Sequence, residues 1–431
     1  MQYAMSDCKK VVLVLACFTG QFVSVGIFLS YGPLFQALLH DTGKHAGTVA
    51  FIGSLRDFLI NIVQAMAGFV VKDVGFVTMA AVGAVLLVSG TFLDSYAGLS
   101  IPWHVLWLSI FSGAGNALLW VTQTTVLYGR LGERQLPIAV AVASAGGGLG
   151  TVAINALFEH GIQHLGWQKT ERIQALCFAF ILGLSILGFW WAMSDQQSSS
   201  SSRTLTNLTR KKCTSMLRDL LRPLLEVEFV LVNVALLLYF TGFTVPYTHL
   251  VFYAREICGY SAAPILMSSL GTASIVGRLG CGLLAVFFPA SRLFIAMIVL
   301  QAGALTWLPL CQTAGELHGF AVLFGISSGT RVALMGLVLN ELFGPERVPH
   351  LFGLSGLSIG LGQMIGPPLV GVIYELHSYK EAFWTSAGLM LLSVPFLFAI
   401  LWRIRSKVDK DQDSPKDESD ASYEDGSSED S

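Results

Sequence analysis

Residues 132–137 read GERQLP and residues 344–349 read GPERVP, two similar stretches far apart in the chain. Each leads into an apolar stretch rich in small residues, AGGGLG at 145–150 and GLSIGLG at 356–362. The proline precedes the last glycine by thirteen residues in both. Small residues alone would indicate ordinary close helix packing, but their recurrence at one offset predicts an internal repeat.

Helices that carry small residues can approach closely and slide past one another. We therefore predict structural or gating roles for Gly146 and Gly150 in the first stretch and for Gly360 and Gly362 in the second. Pro367 is placed in the same group.

By composition, the solvent around most of this chain is lipid. Of 431 residues, 53% are apolar and only 13% are charged, and the mean hydropathy is +0.64. Soluble proteins carry about 25% charged residues, so a chain of several soluble domains is excluded. The net charge is -2 and the basic residues form no stripe with interleaved aromatic residues, which excludes a nucleic-acid-binding protein. Seven cysteines lack C-x-x-C spacing, so we expect neither a disulfide framework nor a metal site.

Twelve apolar runs are each long enough, at about 20 residues, for a helix to cross a membrane. The expected fold is all-α, with 12 transmembrane helices in two six-helix halves, residues 1–193 and 227–402. A Ser-rich, basic linker (194–226) joins the halves, and an acidic tail (403–431) with the composition of a disordered segment follows. The predicted spans are 11–39, 47–71, 76–93, 101–128, 136–158, 173–193, 227–253, 263–288, 293–311, 319–342, 351–374 and 382–402.

Basic residues lie mostly on one side of the predicted membrane. They precede the first span, follow the second and fourth spans, fill the linker and follow the twelfth span, with Lys169 and Arg172 among the exceptions. Because positive loops stay in the cytoplasm, we expect a multi-pass protein in the lipid bilayer with cytoplasmic N- and C-termini.

A charged group in the middle of a membrane costs about 2.5–3.5 kcal/mol, so each one predicted there needs a partner or a function. Arg278 lies near the middle of the eighth span, where its planar guanidinium matches a carboxylate. It binds a substrate anion or forms an interhelical ion pair. Arg331, in the tenth span, is a second candidate for anion binding or a structural partner.

Arg56 and Asp57 lie deep in the second span. Adjacent residues on a helix diverge by about 100°, so we expect them to engage different partners rather than each other. Asp57 is a candidate proton carrier, because the membrane interior penalises its charged form. An equal alternative is a permanently charged partner of Arg278 or Arg331. Arg56 is assigned a structural role.

Three further polar residues are candidates for the site. His249, in the seventh span, can titrate near neutral pH, although the favoured interpretation is a hydrogen-bonded structural histidine. Tyr31 and Asn61 are candidate neutral hydrogen-bond donors that line a substrate cavity.

Several motifs of this sequence are similar to those of the monocarboxylate transporter family. The general pattern of twelve spans in two halves with a basic central loop resembles the major facilitator superfamily, to which that family belongs. The closer resemblance is carried by YGR at 128–130 with AVAVASAG at 139–146, SLG at 269–271 with IVGRLGCG at 275–282, GPER at 344–347, GPPLVG at 366–371, and SY at 378–379 with AF at 382–383.

The resemblance implies alternating access, assigns substrate-anion binding to Arg278, and implies a single-span immunoglobulin-like chaperone as a partner. In proton-coupled members of the family, a lysine in the first span and an aspartate one turn before this arginine handle proton and substrate. Here residues 30–35 read SYGPLF, without lysine, and Ser274 stands four residues before Arg278. The usual pairing for proton coupling is therefore missing.

We expect a secondary transporter of the plasma membrane that moves monocarboxylates or related small organic anions, with or without coupled protons. One alternative is proton-independent transport of a bulkier or less charged metabolite, such as an amino-acid-like or creatine-like compound. Another is a non-transporting membrane sensor or scaffold. Because the sequence contains no G-x-S-x-G elbow, nucleotide-binding glycine loop or H-E-x-x-H helix, we expect no enzyme activity, cofactor or metal.

Overall fold

The computed structural model describes residues 6–131, 135–194, 226–260, 264–344 and 347–412, and these ranges are helical without a strand. We call the part before the linker the first half and the part after it the second half. The first half contains α1 (Asp7–Phe28), α2 (Tyr31–Thr42), α3 (Ala46–Val74), α4 (Phe76–Asp94), α5 (Ile101–His104), a π-helical segment (Val105–Ser112), α6 (Gly113–Arg130), α7 (Leu136–Leu165) and α8 (Trp167–Met193). The second half contains α9 (Val227–Phe243), α10 (Val245–Phe252), a π-helical segment (Tyr253–Ile257), α11 (Pro264–Phe287), α12 (Ala290–Trp307), a 3-10 turn (Leu308–Leu310), α13 (Ala314–Phe343), α14 (Val348–Leu376) and α15 (Tyr379–Gln412).

Within the described ranges, ten helical segments are long and apolar enough to cross a membrane. The number is eleven if the two parts of α13, which meet at 41°, form one span. A shorter apolar stretch, Ile265–Cys281, lies in α11. The expectation of an all-helical membrane protein is confirmed. The linker residues 195–225 and the tail residues 413–431 lie outside the described ranges, and α15 continues to Gln412.

Two of the predicted spans are broken in the middle. The first span divides between α1, which ends at Phe28, and α2, which begins at Tyr31. The seventh divides at Thr244, between α9 and α10. Pro33 and Pro246 lie in the first turns of the helices that follow the breaks. A proline is tolerated there because its missing N–H would have no partner inside the helix. Hydropathy alone does not reveal these breaks, because the residues at both are apolar or small.

The repeated glycine motif lies at equivalent places in the two halves. A Cβ added to Gly150 would meet the backbone carbonyl of Phe22 in α1, the first helix of its own half. A Cβ on Gly362 would meet the carbonyl of Leu237 in α9, the first helix of the second half. Gly146 also packs against the backbone of α1. The glycines thirteen residues after each proline therefore allow the same helix contact in each half.

A second pair of glycines faces the opposite half. A Cβ on Gly148 would meet the side chain of Ile275 in α11, and one on Gly360 would lie 3.1 Å from the carbonyl of Phe58 in α3. The main contacts between the halves are accordingly α7 with α11 and α3 with α14. Both pairings join a glycine-rich helix of one half to a helix of the other.

The bundle has two ends that differ in how the halves meet. The terminal end holds the chain ends: Lys9 Nζ donates to Ser194 Oγ at 3.2 Å, and Arg403 pairs with Glu228 at 3.3 Å. The loop end holds short connections such as 43–45. Helix α2 packs against α10 on the side of the loop end, whereas α1 and α9 pack mainly on helices of their own halves. The halves therefore meet at the loop end and along the middle of the bundle.

Candidate functional site

Arg278 lies where α11 of the second half meets α7 of the first. Its Nη1 atom donates a hydrogen bond to the backbone carbonyl of Ser144 at 2.9 Å. Its Nε atom is buried and has no hydrogen-bond partner. The guanidinium therefore bonds across the interface between the halves, and its Nε–H group is free to donate another hydrogen bond.

Arg331 of α13 is buried, with 4% of its surface exposed, and lies over three aromatic rings. Its Cζ atom is 4.3 Å from the ring centre of Phe243, 4.7 Å from that of Phe240 and 5.2 Å from that of Tyr239. Cation–π contacts of this kind stabilise a desolvated cation by about 2 kcal/mol. The Nε atom of Arg331 is buried without a hydrogen-bond partner.

Tyr247 completes this positively charged region, and the sequence analysis did not single it out. Its ring centre lies 5.5 Å from that of Phe243, one of the rings under Arg331. Gly277 and Thr330, which directly precede Arg278 and Arg331, are joined by a hydrogen bond of 3.0 Å. The Tyr247 hydroxyl and Ser328 Oγ are 3.2 Å apart. A tyrosine in an apolar run gives no signal of such a position, because the run is equally consistent with lipid contact.

Within the part of the chain that the structure describes, neither arginine has a carboxylate within 4 Å. A buried charge without a partner costs several kcal/mol, and two neighbouring cations also repel each other. A carboxylate offers two oxygens that match the free N–H groups of a guanidinium. Chemically, the region around Arg278, Arg331 and Tyr247 is suited to an anion of that kind.

Asn61 lies at the second interface between the halves. Its Nδ2 atom donates to Oε1 of Gln363 in α14 at 2.7 Å, and also to the carbonyl of Asp57 at 2.8 Å. Gly360 allows this approach, because a Cβ there would lie 3.1 Å from the Cβ of Asn61. The side chain predicted as a cavity donor is therefore engaged in a hydrogen bond between the halves.

The expectation that Arg56 and Asp57 engage different partners is wrong. Nη2 of Arg56 lies 3.4 Å from Oδ1 of Asp57, and neither Arg278 nor Arg331 pairs with Asp57. The long arginine side chain bends back along the helix, which the divergence of adjacent Cα–Cβ bonds does not prevent. Its Nη2 atom also donates at 2.9 Å to the carbonyl of Phe28, where the break after α1 leaves that oxygen without a helical partner.

Tyr31 and His249 are both buried and hydrogen-bonded. The Tyr31 hydroxyl donates to the carbonyl of Val49 at 2.6 Å. His249 Nε2 donates to the carbonyl of Pro367 at 2.9 Å, so its Nδ1 atom accepts from the Tyr379 hydroxyl at 3.0 Å. A histidine with this pair of partners is neutral, and the arrangement is that of a structural residue.

Two groups of polar contacts join the halves at the loop end, one around Arg255 and the other around Glu375. Arg255 pairs with Glu159 of α7 at 2.5 Å and donates to Gln36 Oε1 at 3.1 Å. We call these contacts the Arg255 latch. The acidic side chain of the latch is 7% exposed and the basic one 28%. Sequence analysis missed both charges, because they lie at the ends of apolar runs where exposed charges are common.

The second group of contacts, which we call the Glu375 latch, joins the end of α14 to the start of α3. Glu375 Oε2 lies 2.8 Å from Nδ1 of His45, and its Oε1 accepts a hydrogen bond from the backbone N–H of Ala46. A carboxylate at a helix N-terminus is favoured by the helix dipole and the free N–H groups there. At the terminal end, the ion pairs Glu226–Arg347 and Glu228–Arg403 do not involve the first half.

A comparison with protein families places this architecture in a known class. The profile of the Major Facilitator Superfamily matches residues 17–315 and 281–426. The chain belongs to this superfamily of membrane transporters.

Within the superfamily, the chain is similar to monocarboxylate transporters, which confirms the resemblance seen in its motifs. Monocarboxylate transporter 13 of Bos taurus is 25% identical over 387 residues, covering 89% of this chain and 87% of that protein. Monocarboxylate transporter 12 of Xenopus laevis is 22% identical over 397 residues, covering 88% and 86%. A fungal protein, MFS transporter asaE of Aspergillus flavus, is 26% identical over 391 residues, covering 87% and 81%.

Proposed function

We propose that this chain is a secondary transporter that moves a small monocarboxylate or related organic anion by alternating access. The observation that carries the proposal is the pair of arginines on two packed helices, Arg278 of α11 and Arg331 of α13, which have buried, unpaired Nε atoms and no carboxylate within 4 Å among the described residues. Similarity to proteins named monocarboxylate transporters supports the same class of solute.

In this proposal Arg278 holds the carboxylate and Tyr247 contributes a hydroxyl donor. Arg331 sets the positive potential from its position over the aromatic rings. Arg278 already crosses the interface by donating to Ser144, so an anion that recruits its guanidinium would change a contact between the halves. Substrate binding and the relative motion of the halves are thereby linked in one side chain.

The proposed architecture has twelve spans in two halves of six. The broken first and seventh spans count once each, and α11 supplies the eighth span. From the distribution of Lys and Arg we infer that the terminal end is cytoplasmic and that the loop end lies on the other side of the membrane. We propose the plasma membrane as the location. Because the Arg255 latch and the Glu375 latch both lie at the loop end, we infer that the described conformation is closed to the outside.

Proton coupling, if the transporter uses it, requires an ionisable group on the translocation path. Asp57 is the stronger candidate of the two predicted residues, because it lies beside Asn61, whose side chain bridges the halves. His249 is held by two hydrogen bonds within the second half. A single-span chaperone is a further proposal, tested by whether one co-purifies with the chain from cells.

The test is uptake by liposomes that contain the purified chain, with labelled lactate, pyruvate and a ketone body compared with lactamide. Lactamide keeps the shape of lactate but lacks its charge. We expect uptake of at least one carboxylate, together with exclusion of the amide, because only the carboxylate can engage a guanidinium in two parallel hydrogen bonds. Equal uptake of lactate and lactamide would contradict the role of the arginines.

A second candidate is proton-independent transport of a less charged metabolite such as creatine. The observation in its favour is Ser274, which stands where the proton-coupled pattern has an aspartate. Creatine in the same panel, at acidic and at neutral external pH, decides between the two. Creatine uptake that ignores pH, without carboxylate uptake, would replace the first proposal with the second.

A further inference from the structure

A cluster of three ionisable side chains is buried in the first half, away from the arginines of the second half. It consists of Asp94 at the end of α4, His104 at the end of α5 and Glu171 in the first turns of α8. Their exposed fractions are 0%, 0% and 1%. The sequence analysis did not identify them, because two of the three lie just outside the predicted apolar runs.

The hydrogen bonds of His104 require a proton on each side of its ring. Nδ1 lies 2.9 Å from Oδ1 of Asp94, and Nε2 lies 3.1 Å from the carbonyl of Gly98. A carbonyl only accepts, so Nε2 carries a hydrogen. The contact between Nδ1 and the Asp94 carboxyl then needs a further proton, held by one group or the other.

Asp94 and Glu171 bring two carboxyl groups into one buried part of the first half. The next residues in sequence, Ser95 and Arg172, are joined by a hydrogen bond of 3.1 Å, and Asp94 Oδ2 and Glu171 Oε2 are both buried without a hydrogen-bond partner. Two carboxylates cannot hydrogen-bond unless one of them is protonated, and two such charges in one buried site repel strongly. The geometry is therefore that of a site in which carboxyl groups and an imidazole share protons.

The cluster lies between the loop end and the middle of the membrane. On the side of the loop end, Gly98 belongs to the short, partly exposed connection between α4 and α5. On the inner side, Glu171 lines a narrow internal cavity together with Ser30, Tyr31 and Arg56. Arg56 contacts Asp57, which lies beside the Asn61 bridge between the halves. Polar groups thus lie at several depths between the loop end and the interface.

The charged and titratable groups around the cluster have defined partners. Arg56 of α3 lines the same cavity as Glu171 and is paired with Asp57. Tyr31 of α2 donates to a backbone carbonyl. Arg172 of α8 donates to Ser95 and stacks over the ring of Tyr96. Asp41 of α2 accepts from Trp167, whose ring lies 5.5 Å from that of His104. Among the described residues, no group of three His, Cys, Asp or Glu has the geometry to hold a metal ion.

We propose that Asp94, His104 and Glu171 form a proton-binding site in the first half, which exchanges a proton with the loop end and passes it through the internal cavity toward Arg56 and Asp57. Each step transfers only a proton: the O–H or N–H bond of the donor breaks, and a bond from the proton to the acceptor forms. The proton-binding site stands on its own geometry, and only its use for coupled transport rests on the proposed function.

Infrared difference spectroscopy of the purified full chain in lipid tests the site without any substrate. A protonated carboxyl group has its own C=O stretching band, which disappears when the proton leaves. We expect such a band to titrate with pH in the natural sequence and to be absent in Glu171→Gln. The amide of glutamine can still donate to Asp94, so the fold is expected to survive.

Glu159→Gln is the matched control, because Glu159 is also a buried glutamate but is paired with Arg255. It should leave the band unchanged, and Glu171→Asp should restore a carboxyl band to the site. Two results would overturn the proposal: an unaltered band in Glu171→Gln, or a band that never titrates while the protein stays folded. Neither result depends on whether the chain transports a carboxylate.

Discussion

We predict that the Arg255 latch controls how readily the loop end opens. Replacing Glu159 with glutamine removes the charge and keeps the shape, so the wider fold should be unchanged. The Arg255–Glu159 pair is intermediate between a fully exposed and a fully buried ion pair, because the Glu159 side chain is 7% exposed and the Arg255 side chain 28%. Exposed pairs contribute about 0.2–1 kcal/mol and breaking a buried pair costs about 3–5 kcal/mol, so we expect a loss of about 1–2 kcal/mol.

A change of about 1–2 kcal/mol shifts the equilibrium between closed and open loop ends by about 5- to 30-fold. Spin labels at His40 and His377, both exposed at the loop end and one in each half, would report this as a larger share of long distances in pulsed electron paramagnetic resonance. The control is Glu226→Gln, which breaks the ion pair with Arg347 inside the second half. A distance distribution unchanged by Glu159→Gln, or changed equally by the control, would refute the latch.

Three further predictions follow from packing and hydrogen bonding. Gly150→Ala should lower the free energy of unfolding by about 1–3 kcal/mol, because the new methyl group meets the backbone of α1. A thermal unfolding assay measures this loss. Gly388→Ala is the control and should not destabilise the protein, because a Cβ there has no atom within 4 Å. Asn61→Ala removes one neutral hydrogen bond between the halves, so it should favour the open loop end by about 1 kcal/mol or less. The same spin labels would report this as a larger share of long distances, and an unchanged distribution would contradict the bridging role of Asn61. His249→Phe should lower the free energy of unfolding by about 1–3 kcal/mol, because it leaves the Tyr379 hydroxyl and the Pro367 carbonyl without a partner. Any pH dependence of uptake should remain. Loss of that dependence alone would instead identify His249 as the proton carrier.

Helices were predictable from the sequence because each is a long apolar run, and lipid requires its backbone groups to bond internally. The glycine repeat was also informative, since a small residue allows a close approach of two backbones wherever it recurs. The breaks after Phe28 and at Thr244 were not predictable, because a proline inside an apolar run is compatible with both a kink and a new helix.

The polar residues of the site were predictable only in part. Arg278 and Arg331 stand out because a charge deep in an apolar run is rare. The partner of Asp57 was mispredicted, because the reach of an arginine side chain does not follow from the direction of its Cβ. Asp94 and Glu171 were missed, because hydropathy places them at the membrane boundary and only the packing of α4 against α8 buries them.

The most direct measurement is carboxylate uptake by liposomes carrying the natural sequence, Arg278→Ala or Arg278→Lys. Removing one partner of a buried, hydrogen-bonded charge pair costs about 2 kcal/mol or more, so alanine should reduce uptake about 30-fold or more. Lysine keeps the charge but not the planar fork, so it should restore only part of the activity. Arg403→Ala, at the terminal end, is the control and should transport normally. Full carboxylate uptake by Arg278→Ala would contradict the proposal that this guanidinium binds the substrate.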